Sequence, residues 1–135
     1  MLIVPVMQIL DPPTVLLLED EPMVRDLAAR ELERAGYRVV AARDGVEALL
    51  LAESEPVIDL VVADVMLPRL GGPEFVRVLR SRRPEVPALF ISGYAEDPLG
   101  EPGAWRSGDA FLPKPFTLRR LADAAAAVLG APRAV

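Results

Sequence analysis

Asp59-Leu60-Val61-Val62-Ala63-Asp64 is the stretch on which the fold turns. Its apolar run is unbroken and ends at a carboxylate. A strand with one wet face alternates apolar and polar residues, whereas one covered on both faces stays apolar throughout. Val15-Leu16-Leu17-Leu18 and Ala88-Leu89-Phe90-Ile91 repeat the pattern, ending at Glu19-Asp20 and Ser92. Tyr37 to Ala41 reads as a further strand, and Ala110-Phe111-Leu112 as a short one that stops just before Lys114.

Helical signals fill the gaps. Pro22 to Ala35 carries Val24, Leu27, Ala28, Leu32 and Ala35 at helical spacing, with Pro22 near the start and Gly36 as a stop. Asp44 can cap a helix from Gly45 to about Glu53, with Val46, Leu49 and Leu50 inward. Pro73 to Arg82 is expected to turn Phe75, Val76 and Leu79 inward, leaving Arg77, Arg80, Arg82 and Arg83 as a solvated basic end. Thr117 caps a last helix through about Leu129. Between Ser92 and Asp109, Pro98, Gly100, Pro102, Gly103 and Gly108 oppose a long helix, so an abbreviated or irregular one is expected there, with Trp105 in a loop.

Alternating strands and helices give an α/β fold, a parallel sheet covered on both faces, and right-handed crossovers make it doubly wound. Residues 14–130 form one domain, residues 1–13 a leader or linker ending in Asp11-Pro12-Pro13, and residues 131–135 a tail. The apolar start, Met1 to Leu10, is shorter than the ~20 residues that span a bilayer. It also has no basic flank, so a cytoplasmic domain with no membrane partner is expected. The net charge of −5 disfavours nucleic-acid binding. With no cysteine and no histidine, thiolate and imidazole metal sites and His-based triads are excluded.

In a parallel sheet the strand ends share one edge, where ligands bind. Glu19, Asp20, Asp64, Ser92 and Lys114 should therefore converge. Taken singly, each has an ordinary explanation as a cap or turn residue; the conjunction at successive strand ends does not. Three neighbouring carboxylates repel one another, and a divalent cation relieves the repulsion. An all-oxygen donor set suits Mg²⁺, with Mn²⁺ also possible. Asp64 can serve as a nucleophile in phosphoryl transfer, with Lys114 and the Ser92 hydroxyl binding phosphoryl oxygens.

Four ordered blocks carry a family resemblance: Val15 to Pro22, Asp59 to Pro68, Ile91-Ser92-Gly93-Tyr94-Ala95, and Phe111-Leu112-Pro113-Lys114-Pro115-Phe116. From about Thr14 to Leu129 the chain resembles the receiver (response regulator, CheY-like) domains of two-component signalling, most of all those of hybrid histidine kinases. The resemblance implies a flavodoxin-like five-stranded sheet of order 2-1-3-4-5. It implies Asp64 as phospho-acceptor, Asp20 as direct metal ligand with Glu19 assisting, and the Met66 backbone carbonyl as third protein ligand. Ser92 corresponds to the switch hydroxyl, Lys114 to the conserved-type lysine, and Phe111 to the switch aromatic. A cis peptide at Lys114-Pro115 is implied as well. The implied phosphoryl donor is a histidine kinase or a histidine phosphotransfer protein, with slow self-catalysed dephosphorylation. No DNA-binding module follows Leu129, so direct DNA binding is not expected of a chain that is either a free-standing regulator or a hybrid-kinase receiver.

The sequence departs from the family at three points. Glu19 stands where Asp is common, Ala63 is small and could leave a gap before the acceptor, and the helix after the fourth strand is broken. Two alternatives follow. A pseudo-receiver would act only as a protein-interaction module and would show no Mg²⁺ binding dependent on Asp20 and Asp64. A flavodoxin-like cofactor binder would suit the fold, but no glycine-rich phosphate loop follows the first strand.

Overall fold

Five strands, all parallel, form one sheet in the order β2-β1-β3-β4-β5. They are β1 (Thr14–Leu18), β2 (Arg38–Ala42), β3 (Leu60–Asp64), β4 (Ala88–Ser92) and β5 (Ala110–Pro113). The computed structural model describes residues 12–93 and 106–130, with four helices among them. These are α1 (Pro22–Arg34), α2 (Gly45–Ala52), α3 (Gly72–Arg80) and α4 (Leu118–Leu129). The irregular helix expected after β4 and Trp105 lie outside the described residues, as do residues 1–11 and the tail at 131–135.

β1, β3 and β4 are buried along their whole length, which explains their unbroken apolar runs. Alternate side chains serve opposite faces. Leu16, Leu18, Val61, Ala63 and Phe90 pack under α2 and α3 against Ala48, Ala52, Phe75, Val76 and Leu79. Val15, Leu17, Leu60, Val62, Leu89 and Ile91 pack under α1 and α4 against Ala28, Leu32, Leu121 and Ala125. Each fully buried Leu, Val or Phe stabilises the fold by about 1.5–3 kcal/mol relative to exposure. Among the described residues, no helix is long and apolar enough to cross a membrane.

Several local expectations are corrected. Leu27, Val46 and Leu50 are exposed, at 45%, 37% and 65%. On α2 the buried side is Gly45, Ala48 and Ala52, small residues that let the helix lie close to the sheet. The strand expected at Tyr37 begins and ends one residue later, and α3 starts at Gly72 and stops at Arg80. Ala63 is packed by the backbone of Gly72, where a Cβ would sit 3.1 Å from the Ala63 Cβ.

The basic end of α3 is not a uniformly solvated face. Arg77 and Arg82 are exposed, but the Arg80 side chain is only 8% exposed and pairs with Asp109 at 2.6 Å. Asp109 also accepts from the Ala88 and Arg106 backbone N–H groups, and Arg80 Nε donates to the Val86 carbonyl. Arg83 donates to the Ala52 and Glu55 carbonyls at the end of α2. This knot ties α3, β4 and β5 together at the edge opposite the strand C-termini.

Removing one partner of a buried ion pair strands the other charge. Asp109→Ala is therefore expected to lower unfolding free energy in urea by about 3 kcal/mol. A loss below 1 kcal/mol would show that the knot is dispensable.

Candidate functional site

At the C-terminal edge of the sheet, β1 delivers Glu19 and Asp20 and β3 delivers Asp64. Their carboxylate oxygens lie within 4.8 Å of one another, with Glu19 and Asp64 buried and Asp20 exposed. Lys114, just past β5, reaches in, with Nζ 2.9 Å from Asp64 Oδ2. Its position is set by its own N–H, which donates to the Ser92 carbonyl at 2.7 Å, and the Lys114-Pro115 peptide is cis. Ser92 is fully buried at the end of β4. It follows Ile91, whose carbonyl accepts the Val65 N–H at 2.7 Å, so Ser92 stands beside the chain leaving Asp64. All five residues expected at one rim are brought together there.

The remaining two residues lie as follows. Met66 is on the loop two residues beyond Asp64, its side chain largely exposed. Phe111 is half-buried opposite Phe90 in the sheet and packs against the core beneath α2 and α3.

Glu19 does more than contribute charge. Its Oε2 accepts from the Glu21 N–H at 3.0 Å, and Glu21 is an N-cap whose own side chain makes no capping bond. Arg25, in the first turn of α1, donates from Nη1 to the Glu19 carbonyl at 2.9 Å. The bond and the carbonyl contact fix Glu19 from both its ends. Neither Arg25 nor the loop contacts described below were found from sequence, since a long arginine on a helix gives no sign of which carbonyl it reaches.

Electrostatics at this rim are unbalanced. Burial pushes the Glu19 carboxyl up; the Glu21 N–H opposes this, and the neighbouring Asp64 adds to it, leaving the group at about 7. Burial pulls the Lys114 ammonium down, but its hydrogen bond to Asp64 and the charges of Asp64, Glu19 and Asp20 prevail, holding it above its ordinary value. One ammonium thus faces three carboxylates. The donor set is all oxygen, which fits a hard divalent cation and would offset the excess negative charge.

The structure is a doubly wound sheet with acids, a hydroxyl and an ammonium at its C-terminal rim, the edge at which domains of this architecture bind their ligands. The comparisons specify the class. Residues 15–126 match the family model described as the response regulator receiver domain. The sensor kinase CckA of Brucella abortus (strain 2308) is 44% identical over 110 residues, 81% of this chain and 12% of the kinase. The response regulator MprA of Mycobacterium sp. (strain KMS) is 43% identical over 113 residues, 82% of this chain and 47% of the regulator. This chain therefore spans less than half the length of either curated relative. Among solved structures, the receiver domain of the hybrid histidine kinase CckA superposes with a TM-score of 0.72 at 38% identity, covering 86% of this chain and 98% of that one. A response regulator receiver protein from Sinorhizobium medicae WSM419 gives 0.78 at 32% identity, covering 90% and 98%. The chain belongs to the response regulator receiver family and is a receiver domain of two-component signalling.

The raised Glu19 carboxyl has a definite pH signature. An unfolded glutamate loses its proton near 4.5, whereas the folded one keeps it to about 7. The group therefore favours folding at pH below 4.5, and that contribution is lost as pH rises through 7. In metal-free protein, Glu19→Gln should flatten the decline in Tm across this range. Added Mg²⁺ should raise the wild-type Tm more at pH 8 than at pH 6, where the cation competes with a proton. Equal Mg²⁺ shifts at both values would show that Glu19 does not face the cation.

Proposed function

We propose that Asp64 is the phospho-acceptor of this receiver and takes its phosphoryl group from a histidine kinase or histidine phosphotransfer protein. The observation that carries this reading is the 2.9 Å Lys114–Asp64 pair beside two further carboxylates whose oxygens lie within 4.8 Å of Asp64. Asp64 attacks the phosphorus of a phosphohistidine; a carboxylate O–P bond forms, the P–N bond breaks, and the imidazole leaves. Glu19, Asp20, Asp64 and the Met66 carbonyl would hold Mg²⁺, which supplies charge neutralisation to the equatorial phosphoryl oxygens when bound.

Lys114 pairs with Asp64 in the unphosphorylated state, and its ammonium is near enough to follow the charge onto a phosphoryl oxygen. The Ser92 hydroxyl can donate to another of these oxygens. Movement of Ser92 toward them would be felt one strand away, where Phe111 lies against Phe90. A half-buried aromatic can exchange burial for exposure, which makes Phe111 the reporter of the switch. Water then attacks the phosphorus, the O–P bond to Asp64 breaks and inorganic phosphate leaves, a slow self-catalysed return to the carboxylate. The completeness of the acidic set favours this chemistry over a phosphorylation-independent interaction module. The functional unit is residues 14–130, and cytoplasmic placement follows from the class of donor.

Acetyl phosphate tests the reading without a cognate kinase. Wild-type protein should take label only with Mg²⁺ or Mn²⁺. Asp64→Asn should abolish labelling, and Lys114→Ala should reduce its rate by about 100-fold, the scale of losing one preorganised charge contact. Label retained by Asp64→Asn would remove Asp64 from the role.

A further inference from the structure

The loop from Asp64 to Gly72 has a second anchor that the acid pocket does not include. Arg69 lies midway along it at φ 68°, in the left-handed region. The Leu70 N–H donates to the Pro68 carbonyl at 2.7 Å across it, so Arg69 is the centre of a γ-turn of the rare positive-φ form. Arginine does not favour that backbone. Such conformations persist only where the surroundings over-determine them, and they gather at functional sites.

The over-determining contacts are at the N-terminus of α2. Arg69 Nε and Nη2 both lie 2.8 Å from Asp44 Oδ2. Asp44 is buried, and its Oδ1 already caps α2 by accepting from the Glu47 N–H at 2.9 Å. One carboxylate thus serves the helix with one oxygen and the loop with the other. The Gly45 N–H donates to the Leu70 carbonyl at 3.0 Å. Leu70 comes so close that a Cβ on Gly45 would be 2.6 Å from its carbonyl oxygen. On the other side, a Cβ on Gly72 would be 2.4 Å from the Asp64 carbonyl oxygen. The loop is pressed between α2 and the acceptor strand, with Arg69 as its charged tether.

We infer that Arg69 is a positioning residue, and that its pairing with Asp44 holds the 65–71 loop, and with it the Met66 carbonyl, where a cation in the acidic pocket can use it. The loss of Mg²⁺ affinity rests on the reading of Asp64 and Met66 given above; the tethering of the loop does not. A bare structural role for the residue predicts a lower Tm only. A positioning role predicts weaker Mg²⁺ binding with an acetyl phosphate labelling rate that recovers at saturating Mg²⁺.

Three variants separate the tether from the backbone strain. Arg69→Ala removes the tether and keeps the unfavourable φ. Arg69→Gly removes the tether and relaxes the φ. Asp44→Asn keeps an oxygen for the α2 cap and removes the charge. Each should weaken Mg²⁺ binding by calorimetry about 10-fold, as losses of support behind a metal ligand do. Arg69→Ala should add nothing in the Asp44→Asn background. Wild-type affinity in Arg69→Gly would overturn the proposal, since backbone geometry alone would then suffice. Amide hydrogen exchange in metal-free protein gives a readout independent of label. Arg69→Ala must speed exchange across 65–71 and leave β1 and β4 unchanged. Unchanged exchange at 65–71 overturns the tether whether or not Asp64 takes label, whereas faster exchange in a chain whose label survives Asp64→Asn upholds the tether and removes only the acceptor.

Discussion

Three carboxylates and one ammonium meeting at the end of a buried sheet set the terms for the rest of the molecule. Like charges within 4.8 Å repel, and burial of Glu19 and Asp64 sharpens the repulsion by excluding water. The fold tolerates this because Lys114 neutralises Asp64 directly and Glu19 is driven toward protonation. Such a cluster is a poor way to stabilise a domain and a good way to make it responsive. The imbalance is what a cation and an added phosphoryl group would act upon.

The scaffold has to carry that imbalance without deforming. Its two apolar layers interleave through the same strands, alternate positions along each strand serving opposite faces. The opposite edge is closed by satisfied charges: Arg80 with Asp109, Arg38 with Glu55, and the Thr14 N–H with Asp59. One end of the sheet is therefore electrostatically settled while the other is not. On the reading proposed above, a response to new charge would arise at the unsettled end, where β4 carries Ser92 beside β5 and Phe111.

Much of this is legible in the amino-acid sequence. Unbroken apolar runs identify strands buried on both faces, and the rule that parallel strands end at one rim assembles Glu19, Asp20, Asp64, Ser92 and Lys114 from distant positions. Sequence fails where packing depth or distant partners decide. Val46 and Leu50 looked like the inner face of α2, but Ala48 and Ala52 face in because the helix lies too close for larger side chains. Arg80 looked solvated, and its partner Asp109 arrives from 29 residues away. Arg69 sits between Pro68 and Leu70 in a stretch rich in turn signals, and neither its positive φ nor its reach to Asp44 has a local sequence mark.

The approach of Gly72 to the Asp64 carbonyl carries a mechanical implication. Where side chains meet, a rotamer change can absorb a small displacement. Here main chain rests on main chain, with no rotatable group between. The Asp64 peptide and the opening turn of α3 therefore meet as main chain, and a shift of one toward the other has to be taken up by the backbone.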